Sequence, residues 1–202
     1  MNYRAEVIRG MQLLARQPNV VFVGQGTVVK ANCLFEQLEG TCSRCKGNGR
    51  IEMLEHCPDC KGKPTWCVPS HQRLEVPVFE NTQLGMCLGM SLAGLLPVCL
   101  FPRTNFLLLA VDQLVNHLDK WQQMTGKPAK VIVKTMTGTT RPLDPGPQHS
   151  DVEGEHAGAL DALCETIKVY DLWGPELVYE SYEAAAMDDG PTLLVERGNL
   201  YG

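Results

Sequence analysis

The hydrophobic positions at the start of the chain follow first a helical and then a β-type pattern. Residues 3–16 have apolar side chains at close to helical spacing, whereas VVFVG at 20–24 is a β-branched run typical of a buried strand. A short helical segment is predicted over residues 33–38. The chain is therefore predicted to open with a helix, a buried strand and a second helix, after which the composition changes.

Regular patterning resumes beyond residue 72. It predicts, in order, a strand at 74–80, a helix at about 82–93, a strand at 96–101, a helix at about 106–125, a strand at 131–135, a short helix, a strand at 168–172, a helix at about 175–187 and a strand at 192–196. This alternation predicts an α/β fold in three layers, with a mainly parallel sheet and helices on both faces.

Several polar segments follow strands of this predicted sheet. Glu80, residues 101–106 and the Gly-, Pro- and Thr-rich loop at 136–158 all come after a strand. Sites in parallel sheets form at the carboxyl ends of the strands, and long loops in compact domains are often functional. We therefore expect a site at this edge of the sheet.

Composition and charge restrict the class of protein. The chain has 202 residues, of which 44% are hydrophobic and 20% charged, as in ordinary globular domains. Its net charge of −5 disfavours broad nucleic-acid or membrane-surface binding. The uncharged stretch at 81–102 is long enough to cross a bilayer, but its polar residues, glycines and Pro97 favour a helix, a break and a strand. The start has no signal-peptide pattern, so a cytoplasmic location is expected.

Five of the nine cysteines lie within residues 42–67, in a segment at 40–72 that has little apolar periodicity. Four of them form two Cys-x2-Cys pairs, Cys42 with Cys45 and Cys57 with Cys60, which is the pattern of a closed, structural four-thiolate zinc site. His56 and Cys67 are reserve ligands, and disulfides or free thiols are the alternative. We interpret 40–72 as a zinc-ribbon-like insertion in a domain spanning 1–202, with reduced cysteines elsewhere.

The predicted helix after residue 80 has two further features. Gly85, Gly89 and Ala93 recur every four residues, so that another backbone can approach one face of the helix, either within the domain or across a subunit interface. Glu80 could simply be an acid that favours the helix N-terminus. Its uncharged surroundings imply burial, however, and a buried carboxylate needs a hydrogen-bonding or basic partner.

A longer pattern extends from Glu80 in both directions. Residues 77–98 read Pro-x2-Glu-x4-Gly-x3-Gly-x3-Ala-Gly-Leu-x-Pro-Val, and Asn-Phe at 105–106, DQLVN at 112–116, Lys120, Met-x-Gly at 124–126 and Gln-His-Ser at 148–150 follow. In order and spacing these motifs resemble the beta subunits of 2-oxo acid dehydrogenase decarboxylating components, which are transketolase-like thiamine diphosphate enzymes. The final VERGNLYG resembles the end of their pyrimidine-binding domain.

The resemblance implies a role for each candidate site residue. A carboxylate such as Glu80 bonds N1′ of the aminopyrimidine and favours the imino tautomer, which takes the proton from thiazolium C2; the ylid then attacks a 2-oxo acid or ketose. Phe106 would stack on the aminopyrimidine, His149 would be an acid–base or electrostatic partner of the substrate, and Val78 and Pro102 would contact the cofactor. Without the resemblance, Phe106 suggests core packing and His149 a solvated loop residue.

The chain also departs from this family. It contains no Gly-Asp-Gly…Asn pattern for diphosphate and Mg²⁺, and it stops at residue 202, where the family continues into another domain. The resemblance thus implies a partner chain that holds Mg²⁺ and diphosphate, with thiamine diphosphate shared at the interface of a heterotetramer. Because that further domain contributes to acyltransferase docking in the family, lipoyl-linked oxidation is in doubt.

Two functions are compatible with these features. The first is the pyrimidine-binding subunit of a split thiamine diphosphate enzyme, which decarboxylates a 2-oxo acid or transfers an acyl or ketol unit and is active only with its partner. The alternative is a non-catalytic binding module, in which a degenerate domain of this family carries the zinc ribbon.

The cysteine pattern leads to the first testable prediction. The purified chain should contain about one zinc ion, and chelation should loosen residues 40–70 before the α/β core, because the four thiolates serve only the insertion. Metal analysis and hydrogen exchange after chelation measure these effects. Simultaneous exchange throughout the chain would instead show that the metal is integral to the core.

Overall fold

The computed structural model describes residues 2–25, 27, 39–40, 66–138, 146–151 and 155–201. The strands in these parts are β1 (Val20–Gly24), β2 (Glu39–Gly40), β3 (Trp66–Cys67), β4 (Arg73–Glu75), β5 (Leu96–Leu100), β6 (Ile132–Thr137), β7 (Lys168–Leu172) and β8 (Thr192–Arg197). Six of them form one sheet in the order β4-β1-β5-β6-β8-β7, and every pair in it is parallel.

Helices cover both faces of this sheet. They are α1 (Tyr3–Ala15), α2 (Glu80–Leu92), α3 (Thr104–Leu107), α4 (Trp121–Thr125), α5 (Glu155–Leu163) and α6 (Pro175–Met187). The core between the sheet, α1 and α6 contains Val7, Met11 and Tyr182. The core on the other face contains Leu84 of α2 and Leu160 of α5. The predicted three-layer α/β fold is confirmed.

Coverage on both faces explains the apolar strands. β5, β6 and β8 are buried along their whole length, which requires side chains suited to a core on both sides of the strand. In β1, Phe22 faces the core beneath α1 and α6, while Val23 faces the opposite core. The helix preceding β1 begins where the Asn2 side chain accepts a hydrogen bond from the Ala5 amide at 3.0 Å.

The predicted strand before Glu80 is shorter in the structure. β4 ends at Glu75, and one further backbone bond joins the Val76 amide to the Gly24 carbonyl at 3.2 Å. Pro77 has no N–H to donate, so it cannot extend the ladder. Glu80 is consequently not the end of a strand but the first residue of α2, two positions earlier than predicted.

The predicted long helix at 106–125 is also irregular. The chain forms α3, a 3₁₀ turn at Leu108–Ala110, a π-helical turn at Gln113–Leu118 and then α4. It ends at Gly126, whose φ of 74° is the left-handed conformation common after a helix, so the predicted end is confirmed. The uncharged stretch at 81–102 forms α2 and β5. Within the described parts, the helices lack the length and apolarity needed to cross a membrane.

The boundaries of the predicted insertion are paired with each other. β2 and β3 are antiparallel, with Glu39 opposite Cys67 and Gly40 opposite Trp66, so the chain leaves and returns at one place. The four predicted zinc ligands and the helix predicted at 33–38 lie outside the described residues. Within the described ranges, no cluster of three or more His, Cys, Asp or Glu could hold a metal.

Three cysteines of the α/β domain are free thiols, as expected. Cys87 of α2 and Cys99 of β5 are buried against each other, and Cys164 is half-buried. A hydrogen bond with Cys99, together with burial, holds the pKa of Cys87 well above its usual value. Burial also raises the pKa of Cys164 to about 11. Cys87 and Cys164 therefore remain protonated and act as small apolar side chains.

A buried ion pair lies in the core between the sheet, α1 and α6. Lys134 of β6 donates from Nζ to Glu196 Oε2 of β8 at 2.7 Å, and both side chains are fully buried. The hydroxyl groups of Tyr182 and Tyr201 also donate to Glu196. Burial and the nearby Glu196 charge raise the pKa of both tyrosines well above the ordinary value, so they remain hydrogen-bond donors.

This ion pair leads to a stability prediction. Lys134→Met should lower the free energy of unfolding by about 3–5 kcal/mol, because it leaves the Glu196 charge buried without its cation. Lys134→Met combined with Glu196→Gln should recover part of the loss, since the amide carries no charge and its oxygen still accepts one of the two tyrosine hydroxyls. Urea unfolding measures both effects. A single variant within about 0.5 kcal/mol of the wild-type chain would contradict the prediction.

Candidate functional site

The candidate residues of the site follow four neighbouring strands. β4, β1, β5 and β6 are adjacent and parallel, so their carboxyl ends share one edge of the sheet. The segments after these ends contain Gln25, Glu80, Phe106 and His149. Because adjacent strands lie about 4.8 Å apart, these segments are neighbours across the edge. The predicted placement of these segments at one edge of the sheet is thus confirmed, and a functional site there stays a prediction.

Glu80 is a buried carboxylate at the N-terminus of α2. Only 6% of the residue is exposed, and its Oε1 accepts a hydrogen bond from Gln25 Nε2 at 3.4 Å. Among the described residues, no lysine, arginine or histidine lies within ion-pair distance of it. The helix N-terminus favours the negative charge. Among its described surroundings, Glu80 thus faces a helix N-terminus and one uncharged donor, and no cation is paired with it.

Gln83, one turn later, fixes the start of this helix. It is 1% exposed, and its Nε2 donates to the Leu100 carbonyl at 3.0 Å and lies 3.5 Å from the Val23 carbonyl. A buried amide needs such partners, and here they lie near the ends of β5 and β1. These contacts attach the first turn of α2, and with it Glu80, to the carboxyl edge.

Close contact between β1 and β5 requires a glycine beside Gln25. A Cβ atom on Gly24 would lie 2.7 Å from the Leu100 carbonyl oxygen and 3.0 Å from the Leu100 Cβ. Any side chain here would push the two strand ends apart. The glycine therefore sets the position from which Gln25 extends toward Glu80.

The structure brings Phe106 and His149 together. Their ring centroids are 4.9 Å apart and the planes are inclined by 52°, which is a favourable distance for two rings. Phe106 belongs to α3 and also contacts the core beneath it. His149 ends a 3₁₀ turn, where its amide donates to the Gly146 carbonyl at 3.1 Å. Both residues are half-buried, so each ring can also be reached from outside.

Hydrogen bonds hold the segments that carry these two rings. Thr137 Oγ1 at the end of β6 donates to the Asp151 carbonyl at 2.7 Å, two residues beyond His149. The Arg103 guanidinium donates to the Gly138 carbonyl at 3.1 Å. The turns after β5 and β6 are thereby joined, and the Phe106–His149 contact rests on both.

The VERGNLYG segment packs against the same turn. Gly138 has a φ of 136°, and a Cβ on it would lie 2.6 Å from Asn199 Oδ1. A side chain there would clash with Asn199 and would also strain the backbone. The end of the described chain thus packs against the residue that directly follows β6.

Sequence comparison finds relatives among pyruvate dehydrogenase components. Over 131 residues, or 64% of this chain, it is 28% identical to the human mitochondrial pyruvate dehydrogenase E1 component subunit beta. The Chaetomium thermophilum and Caenorhabditis elegans proteins of the same name are 30% and 29% identical over the same length. These matches cover 35%, 33% and 36% of the three relatives, respectively. No family model matches the chain.

The chain is a relative of the E1 beta subunits. The resemblance noted in its motifs is therefore confirmed, although the chain spans only about a third of the length of these relatives. A solved structure described as a split-gene transketolase, inactive beta4 tetramer, has a similar fold, with a TM-score of 0.62 over 98% of this chain and 51% of that chain. At 13% identity, this likeness shows the transketolase-like fold alone.

Two residues assigned to the cofactor site of this E1-beta-like chain differ in exposure. Pro102 is buried, whereas Val78 is 74% exposed, so only Val78 is open to a ligand or a partner. Their cofactor contacts stay predictions. Gln25 and Gln83 were not identified from the sequence. Gln25 directly follows β1 and Gln83 lies one turn beyond Glu80, so both are near the predicted edge. A glutamine at such a position does not by itself indicate a role.

The small-residue face of α2 does not pack on the sheet. The side of α2 that faces the sheet carries Leu84, Cys87 and Leu88. A Cβ on Gly85 would approach Gln113 Oε1 at 3.3 Å, and one on Gly89 would meet nothing within 4 Å in the described parts. The alternative interpretation of this face, a subunit interface, stays a prediction.

The paired rings lead to a prediction for the chain in solution. Phe106→Leu should move the NMR signals of the His149 ring protons, because it removes an aromatic ring centred 4.9 Å away. The signals of His117, which lies on the π-helical turn, serve as the control. Unchanged His149 signals would show that the two rings do not meet.

Proposed function

We propose that the chain is the pyrimidine-binding subunit of a split thiamine diphosphate-dependent enzyme. Its substrate would be a 2-oxo acid or a ketose, and its reaction a decarboxylation or an acyl or ketol transfer. The observation that carries the proposal is Glu80, a buried carboxylate that is hydrogen-bonded to an amide and has no cation among its described neighbours. Such a carboxylate suits a ligand nitrogen that can carry a proton.

The residues at the edge of the sheet fit the aminopyrimidine half of the cofactor. The Glu80 carboxylate would hold the proton at N1′, and the Phe106 ring offers an apolar surface for the heterocycle. His149, in contact with Phe106, would hold or move a proton at a substrate oxygen. When bound, thiamine diphosphate supplies the electron sink, while the protein supplies position and charge.

The diphosphate half of the cofactor requires a second chain. This sequence has no Gly-Asp-Gly…Asn pattern, so we propose that a partner subunit holds the diphosphate and Mg²⁺ in a heterotetramer. The split transketolase of similar fold is described as an inactive beta4 tetramer, which supports the proposal that this chain alone is inactive. A cytoplasmic location and a structural zinc ion in the insertion complete the proposal.

The alternative function is a non-catalytic module that binds protein or nucleic acid through its insertion. It is supported by the β2–β3 pair, which brings together the ends of the cysteine-rich segment and so allows it to form a separate unit. Salt-dependent binding of nucleic acid without any dependence on thiamine diphosphate would favour this function.

The catalytic proposal is tested by Glu80→Gln. The tagged chain is purified from its native cells together with its stoichiometric subunits, and exchange of the C2 proton of added thiamine diphosphate is followed by NMR. The wild-type complex should catalyse exchange. The variant should reduce the exchange rate by at least ~10²-fold with little effect on folding. The reason is that a side-chain amide cannot exchange a proton with N1′ of the aminopyrimidine as a carboxylate can.

Glu176→Gln is the matched control. Glu176 is an exposed acid in the first turn of α6, so this change also removes a favourable charge at a helix N-terminus. The control complex should exchange C2 at the wild-type rate. Full exchange by the Glu80 variant, or a wild-type complex with neither thiamine diphosphate nor exchange, would overturn the proposed function.

A further inference from the structure

One polar contact at the carboxyl edge has no role in the proposed function so far. Gln25 follows β1 directly, and its Nε2 donates to Glu80 Oε1 at 3.4 Å across 55 residues of sequence. Among the described residues, it is the one side chain that donates a hydrogen bond to Glu80. Gln25 is half-buried, whereas Glu80 is buried, so the amide lies on the more accessible side of the pair.

We propose that Gln25 is a positioning residue that orients the Glu80 carboxylate toward its ligand. The inference rests on the proposed function and deepens it. A carboxylate has two oxygens in one plane, and a donor that holds Oε1 restricts rotation of that plane. Oε2 is then the oxygen directed to N1′ of the aminopyrimidine. Orientation of this kind keeps the reacting group in the productive geometry before the ligand binds.

The chemical type of the donor matters as much as its position. A lysine or arginine at position 25 would form a charge-assisted bond with Glu80 and compete with the ligand for the carboxylate. A glutamine offers an N–H without a charge, so its hydrogen bond is weaker and pairs no cation with Glu80. Gln25 can therefore orient the Glu80 carboxylate and leave Oε2 available to a ligand.

The same two strands hold both members of the pair. Gly24, which precedes Gln25, is paired with Glu75 of β4 on one side and Leu100 of β5 on the other. Glu80 is held through Gln83, whose amide reaches the Leu100 carbonyl. The sheet therefore holds the backbone on both sides of the Gln25–Glu80 hydrogen bond.

A neighbouring hydrogen bond provides a matched control. Thr27, two residues beyond Gln25, donates from Oγ1 to Glu75 Oε2 at 3.0 Å. This bond joins the same turn to the carboxylate of Glu75 at the end of β4, and not to Glu80. Thr27→Val removes it while keeping the size of the side chain. The change in exchange rate caused by Thr27→Val therefore measures the effect of loosening this turn while the Gln25–Glu80 bond is kept.

The test compares Gln25→Met with Thr27→Val in the complex purified with its partner subunits. Two quantities are measured, the dissociation constant of thiamine diphosphate and the C2 exchange rate at saturating cofactor. Gln25→Met should lower the saturating exchange rate on the order of tenfold and change the dissociation constant less than threefold, because the bond orients the acid and does not build the site. Thr27→Val should leave the saturating rate within twofold of wild type.

Two results would overturn the inference alone. A wild-type exchange rate in the Gln25→Met complex shows that the amide does not orient Glu80, and an equal loss in the Thr27→Val complex shows that the turn, not the amide, matters. A wild-type complex without thiamine-dependent exchange overturns the proposed function as well, so the two failures are distinguishable.

A second measurement needs neither partner nor cofactor. In the free chain, Glu80→Gln should shift the NMR signals of the Gln25 side-chain amide, whereas Glu75→Gln should leave them in place. Unmoved signals after Glu80→Gln would overturn the inference even in an active complex.

Discussion

A negative charge that is kept from water at the carboxyl edge of the sheet is the constraint on which the site depends. A carboxylate that is 6% exposed loses most of its hydration, and such burial is unfavourable unless dipoles or donors replace the water. Here the N-terminus of α2 and the Gln25 amide do so. Both work only if α2 begins at Glu80, and Pro77 and the Gln83 anchor explain why it does. The sequence from residue 81 to residue 102 has no charged side chain, so this stretch supplies no cation to pair with Glu80.

The two faces of the sheet differ in how they accommodate buried charge. Beneath α1 and α6, the Lys134–Glu196 ion pair and two tyrosine hydroxyls form a polar cluster whose charges are matched inside the core. Such a cluster adds specificity to the packing of β6 and β8, because either charge alone would be unfavourable there. Beneath α2 the described core is built mainly of apolar side chains and thiols, with Gln83 among its buried polar groups. The unmatched charge of Glu80 is thus confined to the edge, where a ligand can reach it.

Sequence patterns predicted the elements whose signals are local. The strands β1 and β7 and the helix α6 occur at the predicted residues, since hydrophobic period and flanking breakers determine them. The 3₁₀ and π-helical turns within residues 106–125 were not predicted, because the hydrophobic pattern there is the same for all three types of helical hydrogen bond. The Gln25–Glu80 and Lys134–Glu196 contacts, 55 and 62 residues apart in sequence, have no local signal and appear only when the strands are ordered.

The candidate site residues came from motif resemblance and strand order together. Strand order alone predicts that Glu80, Phe106 and His149 follow the same edge, and the structure confirms this placement. It does not predict that the rings of Phe106 and His149 meet, because that contact depends on the bonds that join Arg103 to Gly138 and Thr137 to Asp151. The four cysteine ligands remain a prediction from spacing, since they lie outside the described residues.

The state of each side chain in the chain alone bears on how a split enzyme would assemble. Glu80 is already buried and hydrogen-bonded without a partner, whereas Phe106 and His149 are half-exposed and Val78 is exposed. Desolvation of the acid, the unfavourable step, therefore belongs to the folding of this chain and not to association. In the proposed enzyme, the partner would cover surfaces that are already formed and add the diphosphate site. Binding energy between the subunits is then free to hold the cofactor between them instead of ordering the acid.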